Sequence, residues 1–194
     1  MSEGFWGLPI RLDVRPTDPL NSDISTVDAI HQMIAIAKSS ATTPLINSVV
    51  DTCLRSLSNN PSKRELARAI WWFVKQHITF CQDEEILAKV LGYEKDPNQE
   101  LLIPPVTLLN MPTPMGDCDD YSMLVASLLV CAKIPCWFVT IAVDDMEPWR
   151  FSHVYVKCWL DDEGKFMVMD CSHGIVPGWE TSRQQFRRME WLVS

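Results

Sequence analysis

The sequence predicts an α+β fold, with N-terminal helices and a buried, cysteine-bearing helix packed on an antiparallel β-sheet. Three observations carry that expectation. Apolar residues recur at helical spacing from Thr26 to about His77, a nearly continuous apolar run follows Cys118, and from Trp137 onward apolar and polar residues alternate. Helices first and strands last, without interleaving, is the order of an α+β domain rather than of a parallel sheet. A chain of 194 residues can enclose one sizeable core. The domain is expected over residues 26–194, after an extended arm of residues 1–25 that contains Pro9, Pro16 and Pro19.

The elements follow in order. Val27, Ile30, Ile34 and Ala37 share one face of a first helix, and Leu45, Val49, Cys53 and Leu57 share one face of a second that starts after Pro44. Ser62 and Glu65 form a capping-box pattern that opens a third helix, whose stripe is Leu66, Ala69, Ile70, Phe73 and His77. His77 reads there as a core histidine at a helix end. A short helical stretch, Glu84 to Leu91, precedes an irregular segment from Gly92 to Pro105, and Pro112 and Pro114 exclude regular structure before Gly116. The helix from Cys118 to Ala132 is apolar nearly all round beyond its first turn, so burial is expected, and Pro135 ends it. Strands are expected at Trp137–Val143, Val154–Leu160 and, past the turn Asp161-Asp162-Glu163-Gly164, Phe166–Cys171. Trp137, Trp149 and Trp159 read as core.

Charge and cysteine usage exclude several functions. The net charge is -8, and basic residues gather in no run longer than a pair such as Arg187-Arg188, so a nucleic acid is not an expected partner. The seven cysteines include no CxxC pair, and Cys131 and Cys136 have no second pair to complete a zinc site, so reduced thiols are expected. Residues 1–6 lack a basic region leading into an apolar stretch, and no run reaches 18 apolar residues. Neither a signal peptide nor a membrane is therefore expected, and the location expected is the cytoplasm, or a particle assembled there.

The chemistry gathers at Gly116-Asp117-Cys118-Asp119-Asp120. A glycine before a helix leaves space beside the next side chains, Asp117 can cap the helix, and Asp119 and Asp120 suit the positive end of its dipole. Cys118 at such a tip gains thiolate stabilisation and free N–H groups that can bind an oxyanion, while the three carboxylates push its pKa up. A cationic partner is needed. His153 begins one strand and Asp170 ends the next. If Asp161–Gly164 is a four-residue loop, Leu160 faces Lys165, Tyr155 faces Asp170, and His153 lies diagonal to Asp170 on the same face. Val154, Val156, Cys158, Leu160, Met167, Met169 and Cys171 then form an apolar opposite face, and a one-residue slip would destroy the separation. His173 competes as a base, but beside Gly174 it reads as a turn residue.

These residues resemble the pattern of the transglutaminase-like superfamily, with its papain-like fold: Gly116-Asp117-Cys118 at a helix start, then Ser152-His153-Val154, then Met169-Asp170-Cys171. The stretch Ala69 to Phe80 resembles the family's helix-to-strand segment, and Ala126 to Pro135 its continuation, so the resemblance covers about residues 62–172. It implies a cysteine hydrolase in which Cys118 attacks an amide carbonyl of a protein or peptide, His153 shuttles the proton and Asp170 orients the imidazole. Gln82 is the candidate second oxyanion donor. No cofactor is expected, although bacterial relatives imply calcium as an option, with Asp117, Asp119 and Asp120 as its ligands. The Asp-Cys-Asp-Asp form resembles bacterial transglutaminase-like cysteine proteinases, and Ser172-His173-Gly174 with Pro177-Gly178-Trp179 resembles phage-encoded members. Two alternatives stay open: amine transfer or deamidation at glutamine, and a phage-particle assembly module that docks on virion proteins through residues 1–25.

Overall fold

The computed structural model describes residues 13–16, 22–88 and 99–194. Within the expected arm, Asp13–Pro16 form β1, and helix α1 (Ser22–Ala41) begins four residues before Thr26. Asp23 in its first turn suits the helix dipole and pairs with Arg187 at 2.7 Å. Residues 1–12 and 17–21, and the docking role expected of them, lie outside the described residues. Thr43 caps α2 (Pro44–Arg55), with proline in the first turn, where no N–H is needed. The Ser62–Glu65 capping box opens α3 (Lys63–His77) as its spacing predicts.

The buried stripe of α3 is rotated from the expected one. Leu66, Ala67, Ile70, Trp71 and Val74 face inward, whereas Phe73 is half-buried and His77 is exposed, stacked on Phe73 at 4.1 Å. His77 is therefore not a core residue; its Nδ1 lies 2.7 Å from the Phe73 carbonyl, at the helix end.

Past α3 come β2 (Thr79–Phe80), α4 (Asp83–Ile86), β3 (Gln99–Leu102), α5 (Pro105–Asn110) and β4 (Met115–Gly116). The segment expected to be irregular thus carries β3, which pairs antiparallel with β1, and α5 follows it. The rest of the expected Glu84–Leu91 helix and residues up to 98 fall largely outside the described residues. β2 and β4 pair in parallel, Thr79 with Met115 and Phe80 with Gly116.

Helix α6 (Cys118–Cys131) runs through the centre. It packs against α1, α2, α3 and α5 and lies on β5 (Cys136–Ala142) and β6 (His153–Leu160). Leu124, Val125, Leu128 and Leu129 are fully buried, and each such side chain contributes about 1.5–3 kcal/mol. Lys133, at φ 57, turns the chain out of the helix just before Pro135.

With β7 (Lys165–Met169) and β8 (Arg187–Leu192), the strands form one antiparallel sheet in the order β7-β6-β5-β8. The hairpin register is the expected one, Leu160 opposite Lys165 and Val156 opposite Met169. Val154, Val156, Cys158, Leu160, Met167, Met169 and Cys171 are all buried in the main core. The sequence reading did not foresee β8. Its period-2 pattern is masked because Arg188 and Glu190 pair with each other on one face while Trp191, on the other, reaches Thr140 at 3.2 Å. Among the described residues, no helix is long and apolar enough to cross a membrane.

Candidate active site

The tip of α6 is built by its first four residues and the glycine before them. Asp117 accepts the Asp119 N–H at 3.1 Å, and Asp120 reaches back to the Asp117 N–H at 3.4 Å, closing a capping box. A Cβ on residue 116 would sit 2.5 Å from an Asp120 carboxylate oxygen, so glycine allows the closure. Cys118 is the first helical residue, part-exposed, with its thiol donating to Asp119 Oδ1 at 3.5 Å. Five of the protein's six other thiols have a different setting. Burial pushes Cys53 up to about 11 and Cys136 and Cys158 up to about 12, and it also raises Cys131 and Cys171. Those five are protonated at neutral pH and poor nucleophiles.

At the other end of the site, the Ser152 N–H donates to Ile141 at 3.0 Å, fixing the start of β6 beside β5. His153 Nε2 then lies 2.8 Å from Asp170 Oδ2, with side chains 9% and 2% exposed. Asp170 Oδ1 accepts the His173 N–H at 2.9 Å and the Ser172 hydroxyl at 3.1 Å. Burial alone would raise the Asp170 pKa, but the His153, His173 and Ser172 donors together hold it below the usual value. An ionised Asp170 can only accept, so His153 carries its proton on Nε2. Its Nδ1 is buried and has no hydrogen-bond partner among the described residues.

Helix α3 braces this corner from behind. Trp71, fully buried, donates through Nε1 to the Asp170 carbonyl at 2.9 Å, and the Lys75 ammonium donates to the carbonyls of Cys171 and Ser172 at 3.0 and 3.1 Å. The turn is so tight that a Cβ on Gly174 would overlap the Asp170 carbonyl oxygen.

A link between the two ends comes one turn inside α6. Ser122 lies on the same helix face as Cys118, and its hydroxyl donates to the Val154 carbonyl at 3.2 Å, next to His153. The first turns of α6 and the start of β6 are therefore joined at Val154, the residue after His153. Gln82 approaches through the parallel β2–β4 pair. That pair matches Phe80 to Gly116, and beyond it each strand leads into a helix, with Gln82 at the N-cap position of α4 and Cys118 opening α6. The Gln82 side chain is exposed and makes no capping bond.

As calcium ligands, Asp117, Asp119 and Asp120 fit poorly. Calcium takes about six to eight oxygens, whereas Asp120 is fully buried and gives its two oxygens to the N–H groups of Ile103 and Asp117. Asp83, which accepts the Leu101 N–H at 2.6 Å, is the carboxylate that Asp120 meets instead. Burial first, then Asp117 and Asp83, hold the Asp120 carboxyl well above the usual range.

Sequence reasoning missed several contributors. His173 is not a detached turn residue: its ring lies 4.6 Å from that of His153 and 5.3 Å from that of Phe80. Trp71, Lys75 and Ser172 act through backbone and hydroxyl contacts that no spacing encodes, although Trp71 could have been found from its place on the apolar stripe of α3. The three tryptophans expected in the core are not there. Trp149 is 58% exposed, and Trp137 and Trp159 flank Phe166 on the outer sheet face, at the end of β6 away from His153.

Comparison with known proteins bears on this geometry. The profile of the transglutaminase-like superfamily matches residues 51–171, which include Cys118, His153 and Asp170. No curated protein matches the chain. Among solved structures, a TGase is 17% identical over 84% of this chain and 35% of its own, at a TM-score of 0.40. A candidate protease from Parabacteroides distasonis is 14% identical, covering 75% of this chain and 26% of its own, at 0.48. A candidate cysteine protease from Cytophaga hutchinsonii is 11% identical, covering 93% of this chain and 62% of its own, at 0.45. The chain thus spans between 26% and 62% of these structures.

Proposed function

This chain belongs to the transglutaminase-like superfamily, and from that premise we propose that it is a cysteine-dependent acyl-transfer enzyme that hydrolyses amide bonds of a protein or peptide. The observation that carries the reading is the state of His153. Its Nε2 is held by a buried, ionised carboxylate, and its Nδ1 has no hydrogen-bond partner among the described residues, which leaves that nitrogen free to take a proton.

In this reading the Cys118 proton passes to His153 Nδ1, and Asp170 stabilises the imidazolium. The thiolate attacks the carbonyl carbon while the Cys118 N–H and the Gln82 side chain receive the developing oxyanion. The C–N bond breaks as His153 returns its proton to the leaving amine, which leaves a thioester on sulfur. Water then adds, giving its proton to Nδ1, and the C–S bond breaks to release the acid and the thiolate. An amine in place of water would give transfer instead.

Brief alkylation of the full chain, read by mass spectrometry, tests the site. Cys118 is expected to react faster than the six other cysteines at neutral pH, and His153→Ala to slow it. Equal reactivity across all seven would overturn the reading. A peptide mixture treated with wild type and with Cys118→Ala then separates cleavage, deamidation and cross-linking by mass.

A further inference from the structure

The hydrogen bonds around Asp170 determine the protonation of a second imidazole. Ser172 has one hydroxyl proton, and it goes to Asp170 Oδ1 at 3.1 Å, because an ionised carboxylate cannot donate. The Ser172 oxygen can then only accept from His173 Nδ1, 3.1 Å away, so Nδ1 carries the His173 proton. Burial, followed by the nearby His153, holds the His173 pKa below its usual value, so the ring is neutral at neutral pH and Nε2 bears a lone pair. Nδ1 is turned inward to Ser172, the side chain is exposed, and Nε2 makes no hydrogen bond among the described residues. The ring stands edge-on to His153 at 4.6 Å and to Phe80, itself 43% exposed, at 5.3 Å.

We propose that His173 determines specificity at this site by accepting, at Nε2, a hydrogen bond from a backbone N–H of a peptide substrate, with Phe80 as the apolar wall beside it. The inference rests on the reading of Cys118 and His153 given above. It assigns the site to peptides rather than to small primary amides, because the acceptor stands beside His153, ring to ring at 4.6 Å, and a small amide has no second N–H to offer it. An acceptor with fixed tautomer and a neighbouring aromatic wall match the alternating donors and side chains of a peptide strand.

The test compares two cysteine-directed reagents on the full chain: methyl vinyl sulfone, which has no amide, and N-acetyl-Phe-Ala vinyl sulfone, together with the N-methylated forms of the latter. In wild type the peptidyl reagent is expected to modify Cys118 about tenfold faster than the small one, and N-methylation at the recognised amide to remove about three- to tenfold of that gain, the size of one hydrogen bond. His173→Phe keeps an aromatic ring without the acceptor. It is expected to lower the ratio of the peptidyl to the methyl vinyl sulfone rate by the same three- to tenfold, whatever it does to the small reagent alone, and to make N-methylation of little further consequence. No gain for the peptidyl reagent in wild type overturns the proposal, as does an N-methylation loss of equal size in both proteins. A melting curve identifies a misfolded variant, in which case the wild-type comparison of methylated and unmethylated reagents decides. If methyl vinyl sulfone shows no preference for Cys118 in wild type, it is the parent reading that fails.

Discussion

The hairpin end that carries Asp170 and the helix tip that carries Asp120 bury their carboxyls almost equally, 2% and 0% exposed, yet their pKa values are displaced in opposite directions. Burial raises both. At Asp170 three donors, the His153 ring, the His173 N–H and the Ser172 hydroxyl, more than cancel that penalty. At Asp120 the neighbours are Asp117 and Asp83, which add to it, and the backbone donors from Ile103 and Asp117 do not compensate. Depth therefore does not decide ionisation in this site; the sign of the neighbours does. One corner favours a negative charge beside an imidazole, and the other favours the neutral acid at a helix tip.

The largest expected effect comes from removing the charge at the first corner. In Asp170→Asn the amide oxygen is drawn to the side where Ser172 and His173 donate, so the NH₂ group turns to His153 Nε2. His153 must then carry its proton on Nδ1, the nitrogen that has to accept from the thiol. Alkylation of Cys118 and any amide turnover should fall by about three to four orders of magnitude, the scale seen when a triad aspartate is replaced by its amide. A loss under about tenfold would break the comparison, since Asp170 would then be a structural carboxylate like Asp120.

Next in size is the turn that holds the carboxylate in place. Gly174→Ala places a methyl on the Asp170 carbonyl oxygen, so the Asp170–Gly174 turn must open. Overpacking of this kind costs about 1–3 kcal/mol. A lowered melting temperature and a slower Cys118 alkylation are expected together, and a fall in one without the other would separate the turn from the site. Trp71→Phe keeps the ring in the core but removes the donor to the Asp170 carbonyl. A buried acceptor left without its donor costs about 1–3 kcal/mol, and a loss in that range is expected in denaturant unfolding.

The contrast between the corners also explains what was legible in the sequence. The His153–Asp170 contact could be read because a four-residue turn fixes the register, and Leu160 opposite Lys165 sets every later pair. The α6 tip could be read because capping is local, confined to Gly116–Asp120. What joins the corners to the fold could not. Trp71 meets Asp170, Lys75 meets Ser172, and Asp83 with Asp120 meets the Leu101–Ile103 backbone through contacts between segments remote in sequence. Periodicity states which face a residue occupies, not what it touches there. The strand β8 was hidden for a related reason: its outward Arg188 and Glu190 look like a solvated segment until the edge of β5 is seen beside them.

Asp120→Asn is the smallest expected effect and the sharpest test of the second corner. The Asn oxygen can still accept from the Ile103 N–H, and an uncharged amide stands where burial and two carboxylates disfavour a charge. Only the long 3.4 Å bond from the Asp117 N–H is lost, so the neutral-pH stability should change by no more than about 1 kcal/mol. The pH dependence carries the sign. Asp120 has its folded-state pKa raised above the ordinary value of 3.8, so its contribution is full below 3.8 and is lost as pH rises from there through the folded value. Asp170 has its pKa lowered, so its contribution is present above 3.8 and is lost as pH falls through the folded value. Melting curves from pH 4 to 8 should therefore decline less steeply with rising pH in Asp120→Asn than in wild type, whereas Asp170→Asn should flatten the loss of stability below pH 3.8, in curves carried further into acid. If Asp120→Asn were strongly destabilised at pH 7 with its slope unchanged, Asp120 would have to be ionised in the folded protein. The helix tip would then need a cationic partner that the carboxylates of Asp83 and Asp117 cannot supply.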